Sequence, residues 1–258
     1  MYENLGNIDV SEENEVLTIE IGRLDSATHA GLAKVFRAAH ESDARVVVVT
    51  GADRSFLNPT NYDLEWVKRL GVFPEMLQIF KEAEDIIRDA LNVDKPTIAK
   101  VWAPGAHSLG ASIALACDFV VAADDATFSD PHVSGFGVPP GDGGALLWPA
   151  RIGLSRAREF LMLDRSCTAR EAVDMGLINR AVPADELDAE VDRMVEKLLS
   201  FDQLGVRMTK KWLNQYLNQF MNVVGMGTLA AEGMVLSSGN FAKKVDAYCE
   251  VLERQRDS

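Results

Sequence analysis

The sequence contains few cysteines, and the three that it has lie far apart. Cys117, Cys167 and Cys249 share no CxxC spacing and are odd in number. A disulfide framework needs paired cysteines, and a zinc site needs ligands at short, regular spacing. We therefore expect free thiols in a reducing compartment, without a disulfide and without a bound metal.

Basic charge is also scarce. Lys and Arg number 26 against 39 Asp and Glu, which gives a formal net charge of −13. Nucleic acids and anionic membranes are bound through basic surfaces, so this balance argues against both as partners. It is compatible with a small anionic ligand held by a few local cations.

Long hydrophobic runs are missing as well. No segment approaches the roughly 18 apolar residues needed to cross a bilayer, and the acidic N-terminus MYENLGNIDVSEENEV lacks the apolar core of a secretory signal. We expect a cytoplasmic protein. With 258 residues, 47% of them hydrophobic, the chain is long enough to bury a large core without metal or disulfide.

The spacing of apolar residues changes along the chain. Residues 15–21 alternate apolar and polar, and residues 45–50 form a β-branched apolar run, as strands do. Residues 26–40 and 75–91 have helical spacing, and helical patterns dominate residues 144–255. This order predicts an α/β fold followed by helices.

We place the boundary near residue 200, with an α/β core over residues 1–200 and a helical C-terminal region over residues 201–258. The second region is too apolar for a solvated tail. It is expected to pack on the core or on a neighbouring subunit.

Two blocks of this sequence resemble the crotonase superfamily, the enoyl-CoA hydratase/isomerase group. They are KPTIAKVWAPGAHSLGASIALACDFVVAADDATFSDPHV, which starts at Lys95, and TAREAVDMGLINRAVP, which starts at Thr168. The resemblance extends over residues 10–255. It implies a crotonase fold of repeated ββα units with a C-terminal helical trimerisation region. It further implies a homotrimer or hexamer that acts on a small-molecule substrate without a required cofactor, with a coenzyme A thioester as one candidate substrate.

The resemblance also implies an oxyanion hole, in which two backbone N–H groups bind a carbonyl oxygen as negative charge develops on it. Donors fixed in a dry site bind more strongly as that charge appears. Alignment of the motifs places the first donor at Thr60 in FLNPTN and the second at Leu109 in HSLGAS. Pro59 has no N–H, but the first donor belongs to the residue after it.

The residues at the family's catalytic positions depart from the hydratase pattern. The two glutamates of a standard hydratase would align near Ser112 and at His132, and neither is present. SDPH and the PPGDGG loop instead carry His132 and Asp142, which resemble the β-diketone hydrolase branch that includes 6-oxocamphor hydrolase. We predict that the histidine takes a proton from water while the aspartate fixes its tautomer.

Two further residues are implied as catalytic by the same branch. His107 lies in the predicted oxyanion turn, and Glu232 in LAAEG falls where the branch has a helical glutamate near its site. Each residue also has a non-catalytic interpretation: His107 as a hydrogen-bonded loop histidine, and Glu232 as a surface carboxylate. His29 and His40 fall in a helical pattern and are interpreted as surface or core residues.

Three functions are compatible with these residues. We favour hydrolytic C–C bond cleavage (retro-Claisen) of a 1,3-dicarbonyl substrate. Hydration or isomerisation of an acyl-CoA thioester is the first alternative, although the loop before the first helix is shorter than the family's coenzyme A loop. A catalytically degenerate binding or assembly subunit is the second. No cofactor-binding residues are assigned; the candidate phosphate partners are Arg23, Lys68, Arg69, Lys243 and Lys244.

Overall fold

Two sheets organise the fold in the computed structural model, which describes residues 2–238 and 240–256. The strands are β1 (Ile8–Glu13), β2 (Val16–Ile21), β3 (Val46–Gly51), β4 (Thr97–Val101), β5 (Gly105–His107), β6 (Phe119–Ala123), β7 (Thr127–Ser129), β8 (Cys167–Thr168) and β9 (Arg180–Val182). The larger sheet has the order β1-β2-β3-β4-β6-β9, and all its pairs are parallel except β1 with β2. The smaller sheet has the order β5-β7-β8.

Helices surround both sheets. They are α1 (Ser26–Glu41), α2 (Leu64–Lys68), α3 (Glu75–Asn92), α4 (Leu109–Ala116), α5 (Gly144–Leu163), α6 (Ala169–Asp174), α7 (Leu187–Leu199), α8 (Gln203–Phe220), α9 (Met226–Leu236) and α10 (Asn240–Arg256). The predicted α/β class is confirmed, and helices occupy the C-terminal part as expected.

The central strand β3 is buried along its whole length, as its run VVVVTG predicts. Strand β2 beside it alternates: Leu17, Ile19 and Ile21 are fully buried, while Glu20 is exposed. A parallel sheet covered on both faces requires such apolar strands. The core therefore continues through the sheet to the helices on either side.

Helix α4 is a short, wholly buried helix that fixes the position of the site. Its Gly110 lies against the loop that follows β3, where a Cβ atom would come within 2.7 Å of the Leu57 carbonyl oxygen. Glycine is therefore required for this close approach. As a consequence, the first turn of α4 is held next to the loop that contains Thr60.

The C-terminal helices are not separate from the core. Helix α8 packs on α3 and α5, and α10 returns to contact α2 and residues 132–136. Along α8, however, several large apolar side chains remain exposed: Leu204, Trp212, Leu213, Tyr216 and Phe220. Soluble monomers usually expose large apolar side chains singly, whereas α8 exposes several along one helix.

Within the described ranges, no single helix is long and apolar enough to cross a membrane; one sharply bent pair, Gln203–Leu236 with Asn240–Arg256, passes by length and composition alone.

Candidate active site

A largely apolar cavity of about 70 Å³ lies between the first turn of α4, the segment 132–142 and helix α9. Its polar lining comes from distant parts of the chain: His29, Tyr62, Ser108, His132, Asp142 and Glu232. Apolar side chains such as Trp66, Phe80 and Phe136 form the remaining wall. A mainly apolar cavity with a few converging polar groups is the usual form of a small-molecule site.

His132 lies between two carboxylates. Its Nδ1 hydrogen-bonds to Asp130 Oδ1, and its Nε2 lies 3.3 Å from Asp142 Oδ2. The imidazole is 6% exposed and Asp130 is 2% exposed. The sequence places His132 beside Asp142, and the structure brings the two together, but the residue in position to fix the Nδ1 tautomer is Asp130.

This arrangement determines the charge of the imidazole. Burial alone would lower the pKa of His132, but Asp142 and Asp130 outweigh it and hold the pKa well above its usual value. We therefore treat His132 as an imidazolium at neutral pH. With the imidazole protonated, the candidate proton acceptor is the Asp142 carboxylate held against it, whereas the sequence predicts the imidazole itself.

Asp130 was not among the residues singled out from the sequence. It precedes His132 by two residues, and the intervening Pro131 begins a single π-helical turn at residues 132–136. Within this turn, His132 Nδ1 comes within hydrogen-bond distance of Asp130 Oδ1, a local contact that the spacing of apolar residues does not reveal. The short motif SDPH was the available signal.

Replacing Asp130 with asparagine should lower the pKa of His132, because it removes one of the two negative charges that stabilise the imidazolium. An NMR titration of the imidazole ring protons would measure this shift, with His132→Ala used for assignment. Asp124→Asn is the control, since Asp124 pairs with Arg170 on the surface. An unchanged His132 pKa in Asp130→Asn would mean that this carboxylate does not set the charge.

The glycines of the PPGDGG loop allow these acids to converge. A Cβ atom on Gly141 would lie 2.2 Å from Glu232 Oε2, and one on Gly144 would lie 2.2 Å from Asp130 Oδ2. Any larger residue would displace a carboxylate. The loop therefore positions Asp142 and makes room for two other acids at the same time.

Glu232 is placed in the cavity by helix α9, and its Oε2 is buried without a hydrogen-bond partner among the described residues. Burial raises the pKa of Glu232 to about 8; the charge of His132 opposes this and the charge of Asp142 adds to it. Glu232 is therefore protonated at neutral pH. A protonated carboxyl beside a cavity can act as a general acid.

The implied donor at Thr60 is occupied. Its N–H donates to Asn58 Oδ1 at 3.0 Å, and its hydroxyl donates to the same oxygen at 2.9 Å. Asn58 caps the short 3-10 turn Pro59–Asn61. A substrate oxygen would have to displace this cap before it could accept a hydrogen bond from the Thr60 N–H.

The second implied donor is better placed. Leu109 is the first residue of α4 and lines the cavity. The N–H groups in the first turn of a helix have no intrahelical acceptors, and the helix dipole favours negative charge there. Ser108 before it has the positive φ of 53°, which is unusual for a residue with a side chain. Ser112, which the resemblance aligns near one of the hydratase glutamates, donates through Oγ to Asp142 Oδ1 at 3.4 Å.

His107 lies outside the cavity. Its Nδ1 is 2.7 Å from Ser129 Oγ, and its side chain lines a different groove that includes Pro131 and Tyr248. Burial lowers the pKa of His107. This position fits the alternative interpretation of His107 as a hydrogen-bonded histidine, away from the cavity that contains His132.

His29 lies in the cavity wall, which the helical pattern around it did not indicate. It is 4% exposed, and its Nδ1 pairs with Glu82 Oε2 at 2.8 Å. The ring of Trp66 packs beside it, with centroids 5.4 Å apart. His29 is thus a second histidine able to contact a bound molecule, whereas His40 is largely exposed.

Three of the candidate phosphate partners are already paired with carboxylates. Arg23 pairs with Asp63 at 3.2 Å, Lys68 with Glu65 at 2.9 Å and Arg69 with Glu75 at 2.7 Å. These pairs reduce the positive charge available to a coenzyme A phosphate. Among residues 2–238 and 240–256, no cluster of His, Cys, Asp and Glu is arranged to hold a metal ion.

Known proteins resemble this chain over most of its length. A sequence model of the enoyl-CoA hydratase/isomerase family matches residues 20–254. A crotonyl-CoA hydratase from Syntrophomonas wolfei is 30% identical over 219 residues, which are 81% of this chain and 82% of the relative.

Solved structures also resemble this chain over most of its length. An enoyl-CoA hydratase/isomerase from Mycobacterium paratuberculosis superposes with a TM-score of 0.87 at 27% identity, covering 95% of this chain and all of the other. ABDH, a β-diketone hydrolase from the cyanobacterium Anabaena sp. bound to (S)-3-oxocyclohexyl acetic acid, gives 0.80 at 26% identity. The matched parts cover 90% of this chain and 94% of ABDH.

Proposed function

This chain belongs to the enoyl-CoA hydratase/isomerase family, and we propose that within this family of enzymes it hydrolyses a C–C bond of a 1,3-dicarbonyl compound. The observation that carries the proposal is the carboxylate beside each ring nitrogen of His132, the residue that the resemblance aligns with a hydratase glutamate. With Ser112 at the other position, the glutamate pair for simple hydration is missing.

In the proposed reaction, His132 is the imidazolium, so a water molecule gives its proton to the Asp142 carboxylate beside it, and the water oxygen bonds to one carbonyl carbon. When that carbonyl re-forms as a carboxylic acid, the adjacent C–C bond breaks. Its electron pair moves into the second carbonyl, which becomes an enolate. The N-terminus of α4 at Leu109 stabilises the enolate oxygen.

The enolate must then gain a proton on carbon. Glu232 is suited to this step because it is protonated at neutral pH. It would recover its proton from the His132–Asp142 pair, so the sum of the steps is diketone plus water giving a keto acid. This balance requires neither a redox partner nor a cofactor, and enoyl-CoA hydratases of the same family also need none.

The likeness to ABDH supports this assignment, because that β-diketone hydrolase was solved with a molecule that carries one ketone and one carboxylic acid. Hydrolysis of a cyclic 1,3-diketone produces this pair of groups. The largely apolar cavity wall would suit the hydrocarbon part of such a substrate.

Incubation of the enzyme with a cyclic 1,3-diketone and, separately, with crotonyl-CoA tests the proposal. We expect ring opening of the diketone by the wild type, and loss of that activity in His132→Ala. Turnover of crotonyl-CoA alone would favour the acyl-CoA alternative, which the 30% identity to a crotonyl-CoA hydratase supports. If neither substrate is turned over, the remaining alternative is a catalytically degenerate binding or assembly subunit. The hydrogen bond between the Thr60 N–H and Asn58 favours that alternative, because it occupies an implied oxyanion donor.

The exposed apolar side chains on α8 support a homotrimer or hexamer, with the helical C-terminal region as the contact between subunits. Trp212 and Tyr216 are 71% and 70% exposed in the single chain. Burial of such aromatic residues is a common source of interface stability.

A further inference from the structure

We propose that the hydroxyl of Tyr62 takes the place of the occupied Thr60 N–H and donates a hydrogen bond to the oxygen of the substrate that becomes negative. The inference rests on the function proposed above, because it assigns a further catalytic residue to that reaction. It makes the oxyanion site a combination of one phenol and the backbone at the start of α4.

The loop that contains Tyr62 lacks the free backbone N–H that the family resemblance implies at Thr60. The N–H and the hydroxyl of Thr60 both donate to Asn58 Oδ1, so the loop after β3 offers no free amide at that residue. Two donors hold a developing oxyanion better than one, and the loss of a donor is normally costly to the rate. A replacement from the same loop would restore the pair.

Tyr62 has the required position. It lines the cavity together with Leu109, His132 and Asp142. The residue is 4% exposed, and its hydroxyl is buried with no hydrogen-bond partner in the part of the chain that the structure describes. Ser108 approaches the hydroxyl closely enough to affect its pKa, but without the geometry of a hydrogen bond.

An unpaired buried hydroxyl calls for an explanation, since buried polar groups in proteins are almost always hydrogen-bonded. Next to Tyr62, Ser108 holds the unusual positive φ of 53° at the start of α4. Strained backbone and unsatisfied donors tend to persist at ligand sites, where the ligand completes them. A substrate oxygen between the phenol and the Leu109 amide would satisfy both groups.

The backbone of Tyr62 is held on several sides. Its N–H donates to the Pro59 carbonyl at 3.1 Å, and its carbonyl accepts from the Arg256 guanidinium. The residue also forms a β-bridge with Leu24, and the neighbouring Asp63 N–H donates to the Leu24 carbonyl at 2.7 Å. The phenol is therefore positioned in advance, which is the property that makes an oxyanion donor effective.

The charge state is also suitable. Burial, together with the negative charge of Asp142, holds the pKa of Tyr62 well above its usual value. The phenol therefore keeps its proton across the working pH range and acts as a donor. A neighbouring carboxylate that disfavours the phenolate does not hinder a neutral hydrogen-bond donor.

Tyr62→Phe removes the hydroxyl and keeps the ring. We expect kcat for the diketone to fall by about 10²–10³-fold, with a much smaller change in KM, because the bond strengthens in the transition state. Tyr248→Phe is the matched control: this tyrosine packs edge-on against Phe136 but lines a different groove. Equal kcat in Tyr62→Phe and wild type, or an equal loss in the control, would overturn the proposal.

A second readout does not depend on turnover. 4-Nitrophenol, which resembles an enolate when ionised, is titrated while bound to each protein and followed by its absorbance. The wild type and Tyr248→Phe should lower the pKa of the bound probe, and Tyr62→Phe should lower it less. If the wild type converts neither substrate, the proposed function fails, and the titration then tests Tyr62 as an oxyanion donor on its own. An unshifted probe pKa in the wild type, or the same shift in all three proteins, would overturn the assignment of Tyr62.

Discussion

Replacing His132 with alanine should reduce kcat for a cyclic 1,3-diketone by about 10²–10⁴-fold, the usual contribution of a general acid–base group. The imidazole is the only bridge between Asp130 and Asp142 among the described residues, so its loss leaves two acids facing an empty space. Asp142→Asn should produce a loss of similar size, because it removes the carboxylate that would accept the proton of water beside His132.

The double variant His132→Ala/Asp142→Asn distinguishes a pair from two independent groups. Residues that act as a unit give strongly non-additive losses, so the double variant should be about as slow as the slower single variant. Steady-state kinetics of the four proteins completes the cycle. Losses that multiply would show that the two residues act separately.

Glu232→Gln should be the second strongly impaired variant, with a loss of about 10²–10⁴-fold if its proton is delivered in the reaction. In the wild type, kcat should fall as the pH rises through about 8, where the raised pKa of Glu232 places its ionisation. Glutamine has no proton to deliver, so the variant should lose this limb of the pH profile. A wild-type profile that is flat through pH 8 would remove Glu232 as the acid.

The same variant should also differ from wild type in thermal stability, and the difference should change with pH in a defined direction. The folded pKa of about 8 lies above the ordinary value of 4.5, so the folded protein holds an extra proton between these two values. Stability contributed by this proton is complete below pH 4.5 and decreases as the pH rises towards 8. The Tm of Glu232→Gln relative to wild type should therefore increase over this range, which calorimetry at several pH values would measure.

Local sequence signals predicted those parts of the fold that depend on neighbouring residues. The valine run, for example, predicted the buried strand β3. The strand β5 was not predicted, because its three residues, Gly105–His107, are too few to show a period and pair only with β7, about 20 residues further along the chain.

The site was predictable only in part for the same reason. Family motifs pointed to His132, Asp142 and Glu232, whose side chains the structure brings to one cavity. They could not show that Asn58 occupies the Thr60 N–H, since that depends on how one loop folds. Nor could they show that His132 has a carboxylate beside each ring nitrogen, which favours the charged imidazolium.

Hydrolysis of a cyclic 1,3-diketone in ¹⁸O-enriched water, followed by mass spectrometry of the product, tests the proposed chemistry most directly. Water attack from the His132–Asp142 pair predicts a ring-opened keto acid with one ¹⁸O in its carboxyl group, formed by the wild type and far more slowly by His132→Ala. An intact diketone after long incubation, or a product without the label in the carboxyl group, would contradict the account.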